Sequence, residues 1–394
     1  MDPHHPERYP KRTLLAVTGL SPQVLTETLY ALTQRQHPAF VPTEIHVITT
    51  AEGAEHARLN LLSDEPGWFD RLRRDYGLAP IAFDPTHVHV LVDGAGTPLA
   101  DIRTPEQNEQ AADQITELVR TFTADPASAV HVSIAGGRKT MGYYLGYALS
   151  LFGRPQDRLS HVLVSAPFES HPEFYYPTPA ERVIHTQDEQ RRPIDCRNAE
   201  VTLAEIAFVR LREGLPERLL RGQASLGQSV AAAQRALEPP ELIVDLTGQA
   251  LLAGGEPVPM PAADLAFYAM MARRRKQGMH AARWDTDGLA QQYLVEYRRI
   301  AGELSADLER AEAALAEGMD APYFEQRKSR TNATLREHLG PQLAAPYLIA
   351  GDGRRPRMRF GLRIEPEAIH FTAIDPDAGT SADTGAQGGS AGPP

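Results

Sequence analysis

"VHVSIAGGRKTMGYYLGYALS", Val130 to Ser150, decides how this chain is read. It begins as an apolar strand, turns through Gly136-Gly137, presents two cations, Arg138 and Lys139, and continues as an apolar run with helical spacing. Such a turn gathers backbone amides and positive charge at one point. Helix N-termini bind anions, and glycine lets the backbone come close to them, so the stretch suits a phosphate.

The segments on either side repeat the pattern. "RTLLAVT" (12–18) is an apolar strand closed by Gly19-Leu20-Ser21-Pro22, and "QVLTETLYALTQ" follows as a helix. "TEIHVITT" (43–50), "HVHVLVD" (87–93), "AVHVSIA" (129–135) and "SHVLVSA" (160–166) read as further strands. "AEGAEHARLNLL" and "TPEQNEQAADQITELVRTFTAD" (104–125) read as helices between them. Continuous apolar strands alternating with helices signal a mainly parallel sheet covered on both faces. The fold class is therefore α/β, with about the first 170 residues forming an open, Rossmann-like domain. In such sheets ligands sit at the carboxyl ends of the strands, where the strand order reverses.

Bulk properties narrow the field. A length of 394 residues allows two or three domains. No apolar run approaches the ~20 residues of a membrane span, and "MDPHHPERYPKR" has no apolar signal-peptide core. Cys196 is the only cysteine, which excludes an intrachain disulfide and any multi-cysteine zinc site. A cytoplasmic protein with no membrane partner is expected. The net charge of −11 argues against a surface basic throughout but leaves room for a local patch.

Three strand tips carry the candidate chemistry. "VTGLSPQV" offers Gly19, Leu20, the Ser21 hydroxyl and the amides of a helix start; "SIAGGRKT" offers Gly136, Gly137, Arg138, Lys139 and Thr140; "DIRTPEQNEQ" adds Arg103 and Asn108. If the strands are parallel, all three lie on one edge. A lone GGRK is also what a structural turn with two solvated cations looks like, and Ser21 is equally a candidate cap for the helix after it. No G-x-G-x-x-G follows the first strand and no G-x-x-x-x-G-K-[ST] occurs, so nicotinamide cofactors and ATP are poor candidates. No His–Asp/Glu set near the tips has the look of a metal cage, so neither metal nor cofactor is expected. Tyr143, Tyr144 and Tyr147 follow at helical spacing. Tyr144 and Tyr147 read as core, and Tyr143 is a candidate to stack on a base.

Together "LLAVTGLSPQVLTETLYAL", "DIRTPEQNEQAAD" and "SIAGGRKTMGYYLGYAL" resemble the CRISPR-associated Rossmann fold (CARF) proteins of type III systems, and within them the ring nuclease branch. The resemblance covers about residues 1–180. It implies a two-fold homodimer with a cyclic oligoadenylate across the dimer floor, tetra-adenylate being the ring expected, its phosphates ringed by the strand-tip loops. It further implies metal-free cleavage, in which a ribose 2′-hydroxyl attacks its own phosphate and leaves a 2′,3′-cyclic phosphate end. The positions that family uses for a serine and a lysine are Ser21 and Lys139 here. Such chemistry needs in-line geometry and cations on the pentavalent oxyanion, which these residue types can supply. A CARF protein that binds the ring without cutting it, as a sensor or transcription regulator, remains the alternative.

After Pro193 the pattern changes. Residues 201–237 read as helical, and "ELIVDLTGQALLAGGEPVPM" (241–260) reads as a hairpin turning at Gly254-Gly255. A helix follows Pro261, charged helices fill 286–318, and "RKSRTNATLREHLG" (327–340) is a basic helix ending at Gly340. "PYLIAGDGRRPRMRFGLRI" (346–364) reads as strand, basic loop, strand. "LIVDLTGQALLAGGEPVPMPAADLAFYAMMA", "SRTNATLREHLG" and this last stretch resemble the opening, recognition helix and wing of winged helix-turn-helix response regulators. The expected layout is a CARF domain (1–180), a helical linker (181–240), a helical, winged-helix-like domain (241–373) and a disordered tail (374–394). Residues 327–363 hold nine Lys/Arg against two Asp/Glu, a footprint that suits a phosphate backbone. Arg330, Arg336, Arg354 and Arg357 are the candidate contacts to double-stranded DNA. A second alternative is a HEPN-type ribonuclease, since Arg275-x4-His280 has the spacing of that motif.

Overall fold

The computed structural model describes residues 1–394 except 223–224, 236–237, 247, 354–357 and 373–394. The expected disordered tail (374–394) lies outside the described residues, as do Arg354 and Arg357. The chain divides into two compact units, 1–237 and 238–394.

In the first unit the elements run β1 (Lys11–Val17), α1 (Gln23–Tyr30), β2 (Glu44–Thr49), α2 (Ala51–Ala57), α3 (Trp68–Asp75), β3 (Val88–Val90), α4 (Pro105–Phe122), β4 (Ser128–Ser133), α5 (Lys139–Phe152) and β5 (Arg158–Val164). A small hairpin of β6 (Val183–His185) and β7 (Pro193–Asp195), then β8 (Val201–Glu205), α6 (Glu217–Leu220) and α7 (Leu226–Arg235) complete it. The main sheet has the order β3-β2-β1-β4-β5-β8, parallel throughout except for β8 against β5. From β1 the chain winds one way to β2 and β3, then crosses back to β4 and β5. The order therefore reverses between β1 and β4, which puts the switch-point crevice at the loops after Val17 and Ser133.

Alternation along β1 builds the two layers. Leu15 and Val17 face α4 and α5, packing with Ile115, Val119, Leu145, Leu149 and Phe152. Leu14 and Ala16 face the other way, onto Leu25, Leu29, Phe69 and Leu72 of α1 and α3. With both faces covered, the strands carry apolar residues at successive positions, as the sequence showed. A buried pair anchors the far end of β4. Asp157 accepts from Val130 N at 2.9 Å and from Arg154 N, Nε and Nη2 at 2.8–2.9 Å.

Residues 201–237, expected to be helical throughout, instead open with strand β8. Val201 and Leu203 repeat with period two and join the core beside β5, whose outer edge would otherwise be unpaired. The helical spacing seen in the sequence comes from the apolar residues after Glu205.

The second unit runs β9 (Leu242–Asp245), β10 (Ala250–Ala253), β11 (Glu256–Pro259), α8 (Ala262–Lys276), α9 (Leu289–Ala301), α10 (Ala306–Ala314), α11 (Ala321–Ala344), β12 (Ala350–Asp352), β13 (Arg359–Gly361) and β14 (Ile369–Thr372). The β10–β11 turn is Gly254-Gly255, both at positive φ (56° and 73°), which is the geometry a two-residue hairpin requires. The expected hairpin is thus part of a four-stranded sheet, β11-β10-β9-β14. In α11 the helical backbone breaks at Gly340, φ 76°, where the sequence placed the helix end. Among the described residues no helix is long and apolar enough to cross a membrane.

Candidate functional site

The two loops at the switch point touch through glycine. A Cβ placed on Gly19 would sit 3.4 Å from Gly137 Cα. One on Gly136 would fall 2.8 Å from both Val17 O and Val24 Cγ2, so only glycine lets this loop lie against the end of β1. Gly137 has φ 76°, a left-handed conformation that glycine adopts without strain. The Thr49 hydroxyl donates to Thr18 O at 2.8 Å and Thr18 N donates to Ile48 O at 3.1 Å, which ties the first loop to β2.

On the α4–α5 side of this contact lies an open cleft of about 730 Å³. It brings together Arg103, Asn108, Gly137, Arg138, Lys139 and Thr140, six of the residues singled out in the sequence, with Ile102, Thr104 and Pro105. Two helix starts meet here. That of α4 is closed by a capping box, in which Thr104 Oγ1 accepts from Gln107 N and Gln107 Oε1 accepts from Thr104 N, both at 3.2 Å. That of α5 has no side-chain cap, so its first amides stay available to an anion.

Charge in the cleft is organised by Asp101, which sequence reasoning passed over. Arg138 donates Nε to Asp101 Oδ1 at 2.8 Å and Nη2 to Oδ2, and Arg103 Nε reaches Oδ2 at 3.3 Å. The Arg138 hydrogen bonds foremost hold the Asp101 carboxyl down at about 2, and the pairing pushes the Arg138 guanidinium up. Both arginines are thereby braced by one carboxylate. Exposed Lys139, by contrast, has no acidic partner among the described residues. Asn108 Nδ2 donates to Tyr144 Oη at 2.5 Å, which fixes its amide over the cleft wall. Tyr144 and Tyr147 pack on the core as expected, whereas Tyr143 is 65% exposed, its ring stacked on Tyr147 at 5.7 Å.

Ser21 is placed differently. It is exposed, next to the exposed Leu20, and α1 starts without any side-chain cap, so a capping role is not seen. Ser21 lines a second cleft, of about 120 Å³, with Gln23, Glu27, His161, Glu169 and His171. Ser21 and Lys139 thus line different clefts of the chain, on the two flanks of the loop pair. Glu27, also missed in the sequence, is only 6% exposed, and its carboxyl is pushed up to about 8, by burial first and then by the charge of Glu169. A hint was available, since "VLTETLYAL" carries a single charged residue in a helix that otherwise holds only apolar residues, a tyrosine and two threonines.

In the second unit Arg330 and Arg336 are exposed on α11. Other members of the basic segment are engaged. Arg327 pairs with Asp264 at 2.8 Å, and Lys328 pairs with Glu325 at 2.6 Å while standing 3.6 Å above the Phe360 ring. Arg275, at the end of α8, donates Nε to Ile364 O at 2.8 Å. It lines an open cleft of about 550 Å³ together with His280, Arg274 and Arg363.

No curated protein matches the chain. A solved structure described as a UDP-N-acetylglucosamine 2-epimerase from Listeria monocytogenes aligns over 83% of this chain and 73% of its own. The identity is 13% and the TM-score 0.20, too low to carry an argument. The family described as CRISPR-associated protein NE0113 matches residues 21–239, a span that begins at Ser21 and takes in the Arg103, Asn108 and Lys139 cleft. With more than half of its length matched, the chain belongs to this CRISPR-associated family.

Proposed function

We propose that the chain is a CARF-type ring nuclease, which binds a cyclic oligoadenylate across the strand tips of a homodimer and opens it without metal. The observation that carries this reading is the cleft at the switch point. There an uncapped helix start, two braced arginines, an amide and a lysine with no acidic partner among the described residues converge. That set suits a phosphodiester: the arginines and amides hold the nonbridging oxygens, and Lys139 is a mobile point charge for the extra negative charge of the transition state. In the reaction a ribose 2′-oxygen bonds to the adjacent phosphorus while the bond to the 5′-oxygen breaks. The 2′-hydroxyl loses its proton and the 5′-oxygen gains one, leaving a 2′,3′-cyclic phosphate. Ser21, on the flanking cleft, would orient the ribose or a nonbridging oxygen. Membership of a CRISPR-associated family supports a role in ending type III antiviral signalling.

Incubation of the purified protein with cyclic tetra- and hexa-adenylate in EDTA, followed by chromatography, tests this directly. Linear products ending in 2′,3′-cyclic phosphate are expected. An intact ring retained by the protein would instead support a non-cleaving sensor. That second reading draws on the separate clefts of Ser21 and Lys139 and on the exposed Arg330 and Arg336, which suit a DNA-binding, winged-helix-like second unit.

A further inference from the structure

The cleft that holds Ser21 contains two polar side chains, Gln23 and Glu27, that carry groups without a hydrogen-bond partner among the described residues. Gln23 donates Nε2 to Pro172 O at 3.0 Å, and that carbonyl fixes which way round the amide sits, because the flipped amide would set oxygen against oxygen. Gln23 Oε1 is then left buried with no partner among the described residues. Glu27, at 6% exposure, has no hydrogen-bond partner among the described residues, and the charge beside it is the like charge of Glu169. His171 cannot answer either group. Its Nε2 donates to His185 O at 2.8 Å and its Nδ1 accepts from Glu173 N at 3.1 Å, so both ring nitrogens are taken. A buried acceptor such as Gln23 Oε1, left open by the protein's own groups, calls for a donor from outside the described residues. The partner has to bring at least one donor, for Gln23 Oε1, and a flat or apolar face, for half-exposed Leu163 on the cleft wall.

We propose that this cleft receives the amino edge of an adenine base, with Gln23 Oε1 and the Glu27 carboxyl reading the exocyclic amine and the ring nitrogen beside it. The inference rests on the ring-binding reading for the source of the base and deepens it by assigning the base its own receptor. The chemistry discriminates. Burial and Glu169 keep Glu27 a neutral acid near pH 7, with one O–H to donate and one carbonyl to accept. That donor–acceptor pair complements an amine next to an unprotonated ring nitrogen. An ionised carboxylate, acceptor-only, would match the two adjacent donors of guanine instead.

Calorimetry on the full chain decides between outcomes. The probes are cyclic tetra-adenylate and the same ring carrying hypoxanthine, which replaces the amine by a carbonyl and puts a hydrogen on the ring nitrogen. The wild type should bind the hypoxanthine ring at least about tenfold more weakly, since a site built to bond a polar group rejects the analogue lacking it. Gln23→Met and Glu27→Met should lose that preference, whereas Glu27→Gln, which keeps a donor and an acceptor, should retain it. Equal binding of the two rings by the wild type, or an undiminished preference in both Met variants, overturns the base receptor while leaving ring binding intact. If the wild type binds neither ring, it is the ring reading that fails. The cleft is then judged by saturation transfer to adenosine and inosine 5′-monophosphate. Adenine-selective transfer lost in Gln23→Met sustains the receptor; no transfer, or equal transfer to both, rejects it.

Discussion

Lys139 stands apart from the two arginines beside it because no carboxylate among the described residues answers its charge, whereas Arg103 and Arg138 share Asp101. A phosphate would therefore meet Lys139 as a free cation and the arginines as groups already half-satisfied. Lys139→Ala is expected to weaken ring binding and cut turnover at least about tenfold, as one charge-assisted contact contributes roughly 1.5–3 kcal/mol. Unchanged affinity and rate would remove Lys139 from the site. Ser21, exposed and free of any capping bond, should behave otherwise. Ser21→Ala is expected to lower kcat with little change in Kd, the mark of a contact made in the transition state; a parallel fall in both would make it a binding residue only. Glu27 carries a pH signature. Its folded pKa, about 8, lies above the ordinary 4.5, so the folded state holds a proton that the unfolded chain has released. The cost of burying this acid is absent below pH 4.5, grows as pH rises through the interval, and is complete above 8. Glu27→Gln should match the wild type in melting temperature near pH 4.5 and exceed it at pH 8.5. Parallel profiles would contradict the burial argument. Of these residues, the glycines and cations were legible in the sequence because each announces a local need. Asp101 and Glu27 were not, since a carboxylate becomes informative only when its burial and partner are known.

The paired loops owe their shape to close approach between β1 and β4, and that dependence can be tested on the backbone. A methyl at Gly136 would press on Val17 O and Val24 Cγ2, each 2.8 Å away, so the loop must move off the end of β1. Gly136→Ala is expected to reduce stability by about 1–3 kcal/mol, the usual range for overpacking, in a urea titration. It should also weaken ring binding, because the start of α5 shifts with the loop. Stability and affinity at wild-type levels would show that the loop has room the present packing does not. The elements flanking this loop were readable in advance: the helix expected near Lys139 begins there, and the parallel strands came through as apolar runs. Strand β8 was lost because five residues give too little alternation to outweigh the apolar residues after it. The short α3 escaped as well, since only Trp68, Phe69 and Leu72 of its eight residues are buried.

Across the molecule the charge is unevenly spread: the chain carries −11, yet residues 327–363 hold nine Lys/Arg against two Asp/Glu. Part of that excess is already spent inside the second unit, on Asp264, Glu325 and the Phe360 ring. What remains for a partner includes the exposed Arg330 and Arg336 on α11. Internal pairing lowers the number of phosphates the segment can neutralise below what its composition alone suggests. On the DNA-binding reading, each arginine that displaces a condensed cation steepens the loss of duplex affinity with salt by about 0.9 in the logarithmic slope. Replacing Arg330, Arg336, Arg354 and Arg357 together by alanine should therefore flatten the slope by up to roughly 3.6 if all four touch phosphates. A change near half of that would mean that only two of them do. Ring binding should be untouched, because the four arginines lie in the second unit and the cleft residues Arg103, Asn108 and Lys139 in the first. Fluorescence anisotropy on a labelled duplex over a salt series, with ring titration on the same preparations, reads both quantities. If the wild type shows no salt-dependent duplex binding at about 50 mM salt, DNA is not the partner of this patch. The proposal of ring cleavage by the first unit would then stand without a DNA partner.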